Sequence, residues 1–70
     1  MSKAEQIIRA ALPRAKLRSI SELADRTGIS RATMSRKIKK PKDFTARELR
    51  LIASMILLTA DELMEIIKTT

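Results

Sequence analysis

The sequence predicts an all-α fold, with one compact domain over residues 1–70 built from five short helices. Two observations lead to this prediction. Apolar residues recur at intervals of three and four, the spacing that places them on one face of a helix. At four places a Ser or Thr is followed three residues later by Glu, which is the capping-box pattern of a helix start. These pairs are Ser2 and Glu5, Ser19 and Glu22, Thr45 and Glu48, and Thr59 and Glu62.

The composition argues against several functional classes. The chain contains no cysteine and no histidine, so we expect no disulfide, no zinc site and no enzyme that depends on either side chain. Four acidic residues occupy helix caps, and the others lack the spacing of metal ligands. The sequence therefore predicts no catalysis and no cofactor, and it indicates no small-molecule ligand. No apolar run approaches the ~18 residues of a membrane span, and a cytoplasmic protein is expected.

The first helix is predicted from Lys3 to Leu12, because Pro13 disfavours helical geometry at the residue before it. A basic connector over residues 14–18 should follow, anchored by Leu17. The apolar face of the first helix should comprise Ala4, Ile7, Ile8, Ala11 and Leu12.

The second and third helices are predicted to form a helix-turn-helix over about residues 20–39. Gly28 is the only glycine, and it lies where a left-handed residue would end the second helix without a Cβ penalty. Ser30 can cap the third helix, which should span about residues 31–39.

The last two helices are predicted over about residues 46–56 and 60–68. Phe44, the only aromatic residue, precedes the Thr45 cap and should lie in the core. Helical spacing predicts that the inward-facing residues are Leu49, Ile52, Ala53, Ile56 and Leu58, followed by Leu63, Ile66 and Ile67.

The positive charge is concentrated in one window. No acidic residue occurs between Asp25 and Asp43, whereas seven basic residues do, a number equal to the net charge of +7 for the whole chain. They are Arg26, Arg31, Arg36, Lys37, Lys39, Lys40 and Lys42. Such a concentration on one helix and the loop after it indicates a polyanionic partner. The alternative is a solvated face without a partner. Thr33 stands where the other helix starts have Glu, so no carboxylate there would repel a phosphate.

Two stretches carry a family resemblance. Residues 28–38 read G-I-S-R-A-T-M-S-R-K-I, with E-L-A at 22–24, and this pattern resembles the helix-turn-helix of the lambda-type repressor and Cro family. The later patterns D-F-T-x-x-E-L-x-x-I-A and L-T-x-D-E-L look like the fourth and fifth helices of its small phage-type members. The resemblance covers about residues 19–67. It implies a lambda-repressor-like fold and a Cro-like or repressor-like regulator that binds a double-stranded DNA operator, with the third helix in the major groove.

Candidate contacts to DNA follow from the position of this recognition helix and from the resemblance. The family's base-contacting positions correspond to Arg31, Ala32, Ser35 and Arg36. Arginine can bind guanine O6 and N7 through two hydrogen bonds, and alanine can contact a thymine methyl group. Phosphate contacts are expected from Ser19, Ser21, Ser30, Lys37, Lys39, Lys40 and Lys42.

Two positions depart from the family pattern. Ile20 stands where the family often has a phosphate-binding Gln, so Ser19 or Ser21 would have to supply that contact. Lys37 stands where many members have an apolar core residue. The sequence therefore determines which residues of the recognition helix face the DNA only to within one position. Met34 and Ile38, one turn apart, are expected to face the core.

Three apolar residues have no place in the predicted core, namely Met55, Leu57 and Met64. They predict a homodimer joined through the last two helices, because one recognition helix contacts only a few base pairs and a symmetric pair is the usual solution. Whether the pair forms in solution or only on DNA is left open. The same residues could instead be additional core or scattered surface apolar residues.

Other functions also stay open. An antitoxin or a phage activator of the same fold would show the same sequence features, because the sign of regulation depends on where the operator lies. A protein-interaction module could keep the fold without binding DNA. An RNA-binding role is less favoured, since the A-form major groove excludes a helix and the chain has a single aromatic residue for stacking on bases.

Overall fold

The computed structural model describes residues 2–68, and this part of the chain is all-α, as predicted. It contains the five helices α1 (Lys3–Ala11), α2 (Ile20–Thr27), α3 (Arg31–Lys39), α4 (Ala46–Met55) and α5 (Ala60–Lys68). Two 3₁₀ turns lie between them, at Leu12–Ala15 and Pro41–Asp43. Within residues 2–68, no helix has the length and apolar character needed to cross a bilayer.

The end of α1 differs from the prediction. Leu12 keeps right-handed helical angles, and its N–H bonds to the carbonyls of Ile8 and Arg9. The chain then tightens into the 3₁₀ turn, in which Pro13 stands at the start, where a missing N–H costs nothing. The backbone therefore stays helical at Leu12, and Pro13 marks the change from an α-helix to a 3₁₀ turn. Leu17 is buried after this turn, as predicted for the anchor of the connector.

The junction between α2 and α3 confirms the predicted helix-turn-helix. Gly28 is left-handed with φ of 80°, and its N–H bonds to the Ala24 carbonyl at 3.0 Å. The Ser30 hydroxyl then accepts the Thr33 N–H at 3.2 Å and caps α3. Because Ala24 is small and fully buried, α2 and α3 can pack at close range.

The core joins all five helices. Its fully buried residues are Ala4, Ile8, Ala11, Leu23, Ala24, Met34, Ile52, Ile56 and Ile66. Ile38 and Phe44 are also buried, so the predictions for Met34, Ile38 and Phe44 are confirmed. The prediction for Ile67 is wrong, because this side chain is 44% exposed. Consecutive helical residues point about 100° apart, and Ile66 takes the inward direction.

The connection between α4 and α5 places one residue in an unusual conformation. Helix α4 ends at Met55, one residue earlier than predicted, and Ile56 is its C-cap. Leu57 then adopts the left-handed region with φ of 55°, which is rare for a residue with a Cβ. Thr59 and Glu62 exchange the two hydrogen bonds of a capping box and begin α5.

Candidate nucleic-acid interface

Helix α3 has one buried and one exposed face. Met34 and Ile38 fix it to the core, and the four predicted base-contacting residues are all exposed. These are Arg31, Ala32, Ser35 and Arg36. Ala32 and Arg36 lie opposite the buried residues, and Arg31 is exposed at the N-terminal end of the helix. Four exposed side chains on a helix that two buried residues anchor to the core form a surface suited to a groove of DNA.

Lys37 lies between these two faces and points toward α4. Its side chain is 14% exposed, and its Nζ lies 2.8 Å and 3.0 Å from the two carboxylate oxygens of Glu48. The hydrogen bond from Lys37, followed by that from the Thr45 N–H, lowers the pKa of Glu48. The expected phosphate contact by Lys37 is therefore not supported, because the ammonium is bound inside the protein. This ion pair gives the lysine an internal partner at a position that is only 14% exposed.

Arg31 has an acidic partner that the sequence did not predict. Its Nε donates to Asp25 Oδ1 at 3.1 Å, and its Nη2 donates to Asp25 Oδ2 at 2.6 Å. Both side chains remain open to solvent, with 65% of Arg31 and 53% of Asp25 exposed. The hydrogen bond from Arg31 lowers the pKa of Asp25.

Arg36 also lies near an aspartate, since its Nη1 is 4.0 Å from Asp43 Oδ2. Asp25 and Asp43 are the two acids that border the basic window. Each of them therefore pairs with one of the two predicted base-contacting arginines. The absence of acids inside the window was visible in the sequence, whereas the pairing of the two border acids with these arginines was not.

The lysines at the end of α3 behave differently from the arginines. Lys39, Lys40 and Lys42 are exposed, and none of their side chains has a hydrogen-bond or ion-pair partner within residues 2–68. They extend the basic surface from the last turn of α3 into the following 3₁₀ turn. Unpaired ammonium groups are suited to binding phosphates from many directions.

A cleft brings the serines of α2 close to α3. It is lined by Arg9, Ser19, Ser21, Arg31, Ser35 and Lys39, together with the apolar Ile20 and Ile38 and with Glu5. Ser19 caps α2 by accepting the Glu22 N–H, whereas Ser21 is exposed. Arg9 was not predicted to belong to this site, and its Nε donates to Glu5 at 2.9 Å. Ser30 is exposed at the start of α3, where the first turn has no acidic residue.

The residues predicted to form a dimer interface have different environments. Met55 is partly buried and packs against the core, whereas Leu57 is 64% exposed and Met64 is also exposed. Leu51 and Ile67 are further exposed large apolar residues of α4 and α5. The exposure of Ile67 was missed because its spacing alone assigned it to the core.

The described part of the chain has no cluster of three or more acidic, histidine or cysteine side chains that could hold a metal ion.

Comparison with protein families gives one assignment. The family model of the Cro/C1-type helix-turn-helix DNA-binding domain matches residues 8–69. No curated protein and no solved structure matches the chain significantly. The matched residues include α2 and α3 and extend through α5. The chain therefore belongs to the family of Cro/C1-type helix-turn-helix DNA-binding domains, which bind double-stranded DNA.

Proposed function

We propose that this protein is a sequence-specific transcriptional regulator of the Cro-like or repressor-like kind, which acts in the cytoplasm by placing α3 in the major groove of an operator. One observation supports this proposal above the others. Helix α3 exposes Arg31, Ala32, Ser35 and Arg36, while Met34 and Ile38 anchor it to the core. The major groove admits one α-helix and displays a different donor and acceptor pattern for each base pair.

The base contacts are assigned by chemistry and position. Arg31 lies in the first turn of α3 and has the donors to bind guanine O6 and N7. Ala32 is exposed beside it and can contact a thymine methyl group. Ser35 and Arg36 follow one turn later and contact neighbouring bases.

The phosphate contacts surround this face. Lys39, Lys40 and Lys42 bind the backbone beyond the C-terminal end of α3, where they have no internal partners in residues 2–68. Ser30 and the first amides of α3 bind a phosphate at its N-terminal end. Ser19 and Ser21 contact the backbone from the start of α2, across the cleft they share with Lys39. Lys37 is left out because Glu48 binds it.

The protein is proposed to bind as a symmetric homodimer. Leu57 and Met64 are exposed apolar residues of the α4–α5 connection and of α5, and Met55 is partly buried against the core. Two recognition helices across a two-fold axis would contact half-sites about 34 Å apart, one turn of DNA. Because few residues are available for this contact, the interface is small and pairing is expected chiefly on the operator.

The proposal is tested by selecting bound fragments from random double-stranded DNA and footprinting the enriched sequence. The expected result is a near-palindromic site protected on both half-sites. The double variant Arg31→Ala with Arg36→Ala serves as the control, because it should lose enrichment while keeping its helical circular dichroism. Recovery of unrelated fragments by the unmodified protein would reject sequence-specific binding. The position of the site relative to a promoter then shows whether the protein acts as a repressor, an activator or an antitoxin.

A further inference from the structure

Asp25 is a carboxylate on a surface that the proposed function places against phosphates. It lies on α2 and is 53% exposed, so burial does not explain its presence. A negative charge at such a place lowers the affinity for any DNA. Within residues 2–68, the only contacts that can account for a negative charge at this place are its two hydrogen bonds to Arg31.

The geometry of the pair leaves part of Arg31 available. A guanidinium group has five N–H donors arranged in a plane. Asp25 accepts from Nε and from one N–H of Nη2, which lie along one edge of this plane. The other N–H of Nη2 and the two of Nη1 have no partner within residues 2–68. Nη1 and Nη2 together present a second pair of parallel donors at the end of the side chain, which is the arrangement that fits guanine O6 and N7.

We propose that Asp25 is a specificity-determining residue, whose carboxylate holds Arg31 by one edge of its guanidinium so that the other edge binds a guanine. The inference rests on the proposed function, because it assumes that Arg31 contacts a base. Asp25 and guanine use different donors, so binding to DNA does not require the pair to break. An unheld arginine would be free to turn toward a phosphate, which carries no sequence information.

The test replaces Asp25 with Asn, which keeps the shape but cannot accept both hydrogen bonds. Binding is titrated on the selected operator and on its three single-base variants at the base pair that depends on Arg31. A surface pair of this kind changes an equilibrium by about two- to fivefold. We expect Asp25→Asn to lower the preference for the operator over the variants by that factor, while the affinity for unrelated DNA rises because a negative charge is removed.

Two controls separate positioning from charge. Asp43→Asn removes the same charge from the same surface without touching Arg31, and it should keep the preference at the Arg31 base pair. In an Arg31→Ala background, Asp25→Asn should have no effect on that preference. Asp25→Ala, with circular dichroism to check its helical content, repeats the test with a side chain that can form neither bond.

Two results would overturn the inference. If Asp25→Asn strengthens binding to every sequence by one common factor, Asp25 only repels DNA and does not position Arg31. If Arg31→Ala itself changes no base preference, the contact by Arg31 is wrong, and the proposed function loses this residue as well. If Arg31→Ala changes the base preference but Asp25→Asn does not, the inference about Asp25 is rejected and the proposed function stands.

Discussion

Lys37 and Glu48 join the recognition helix to α4 through two short contacts, 2.8 Å and 3.0 Å from the ammonium to the carboxylate oxygens. The same Oε1 of Glu48 accepts the Thr45 N–H at 2.8 Å and so caps α4. One carboxylate thus binds α3 and also caps the start of α4. The side chains of Lys37 and Glu48 are 14% and 18% exposed, so water screens this pair less than it screens a surface pair.

Replacement of Glu48 by Gln should destabilise the fold by about 1–3 kcal/mol, because a poorly solvated ammonium loses its carboxylate. The change is measured as the free energy of unfolding in urea, followed by helical circular dichroism. Glu22→Gln is the matched control, since Glu22 accepts the Arg18 N–H near the start of α2 but has no lysine partner among residues 2–68. It should cost less than about 1 kcal/mol. Equal losses for the two variants would show that the Lys37 contact contributes nothing.

Arg31→Ala and Lys40→Ala should weaken DNA binding in different ways. Arg31→Ala should reduce affinity for the best site by roughly one to two orders of magnitude and relax the preference at one base pair. Lys40→Ala should weaken binding to all sequences similarly, because a phosphate contact does not distinguish bases. Both variants are titrated against single-base variants of the operator. A uniform loss for Arg31→Ala would contradict its assignment to a base.

Binding should depend strongly on salt. Each phosphate neutralised by the protein contributes roughly −0.9 to the slope of log K against log salt concentration. Replacing Lys39 or Lys42 with Ala should make the slope shallower by about 0.9 for each half-site that the protein occupies. Lys68→Ala, at the far end of α5, should leave the slope unchanged. A slope near zero for the unmodified protein would be incompatible with the proposed DNA interface.

Leu57→Glu should abolish cooperative binding to the two half-sites without unfolding the protein, because the side chain is largely exposed. The measurement is the stoichiometry and affinity on full and half operators. Leu57→Gly is a second variant that also removes the apolar contact. Since Leu57 is left-handed, glycine relieves about 1 kcal/mol of backbone strain and should not reduce the free energy of unfolding. Unchanged full-operator binding by both variants would place the contact between copies elsewhere.

The stability of the fold should fall in acid as Glu62 becomes protonated. Arg14 donates to both Glu62 oxygens at 2.7 Å and 2.8 Å, and this contact, followed by the Thr59 N–H, lowers the pKa of Glu62 from 4.5 to about 2. A lowered folded-state pKa means that the stabilisation is complete above about pH 4.5 and is lost as the pH falls toward about 2.

The check compares unmodified protein with Glu62→Gln at several pH values. The difference between their free energies of unfolding should be largest near neutral pH and should vanish toward pH 2. Glu65→Gln is the control on the same helix, because Glu65 is exposed and has no ion pair within residues 2–68. A constant difference between unmodified protein and Glu62→Gln across this range would show that Glu62 does not titrate with folding.

Helix boundaries were predictable because their signals are local. The Ser30 cap and the left-handed Gly28 placed α3 at its observed residues, and the other helices begin as predicted. A cap or a glycine acts through neighbours within one turn, so its effect needs no knowledge of the fold. The same reasoning missed the 3₁₀ turn at Leu12–Ala15, because a proline at the start of a turn is compatible with helical angles before it.

The electrostatic partners of the site were not predictable in the same way. Glu48 lies 11 residues from Lys37, and Asp25 lies 6 residues from Arg31 on a different helix. Which charges meet depends on how the helices cross, and this is set by the packing of Ala24, Met34 and the rest of the core. Spacing identified the exposed side of α3, but only the folded arrangement separates the bound Lys37 from the unpaired Lys40.

The three lysines at the end of α3, whose side chains have no partner within residues 2–68, have a consequence for how an operator would be found. On the proposed interface, Lys39, Lys40 and Lys42 would exchange one phosphate for the next along a duplex, because their side chains have no bond within residues 2–68 to break. Such contacts let a protein slide and hop along DNA between specific sites. Sliding shortens the search compared with repeated diffusion through solution. On the proposed interface, the lysines therefore determine how quickly the operator is reached, and Arg31 determines how long it stays occupied.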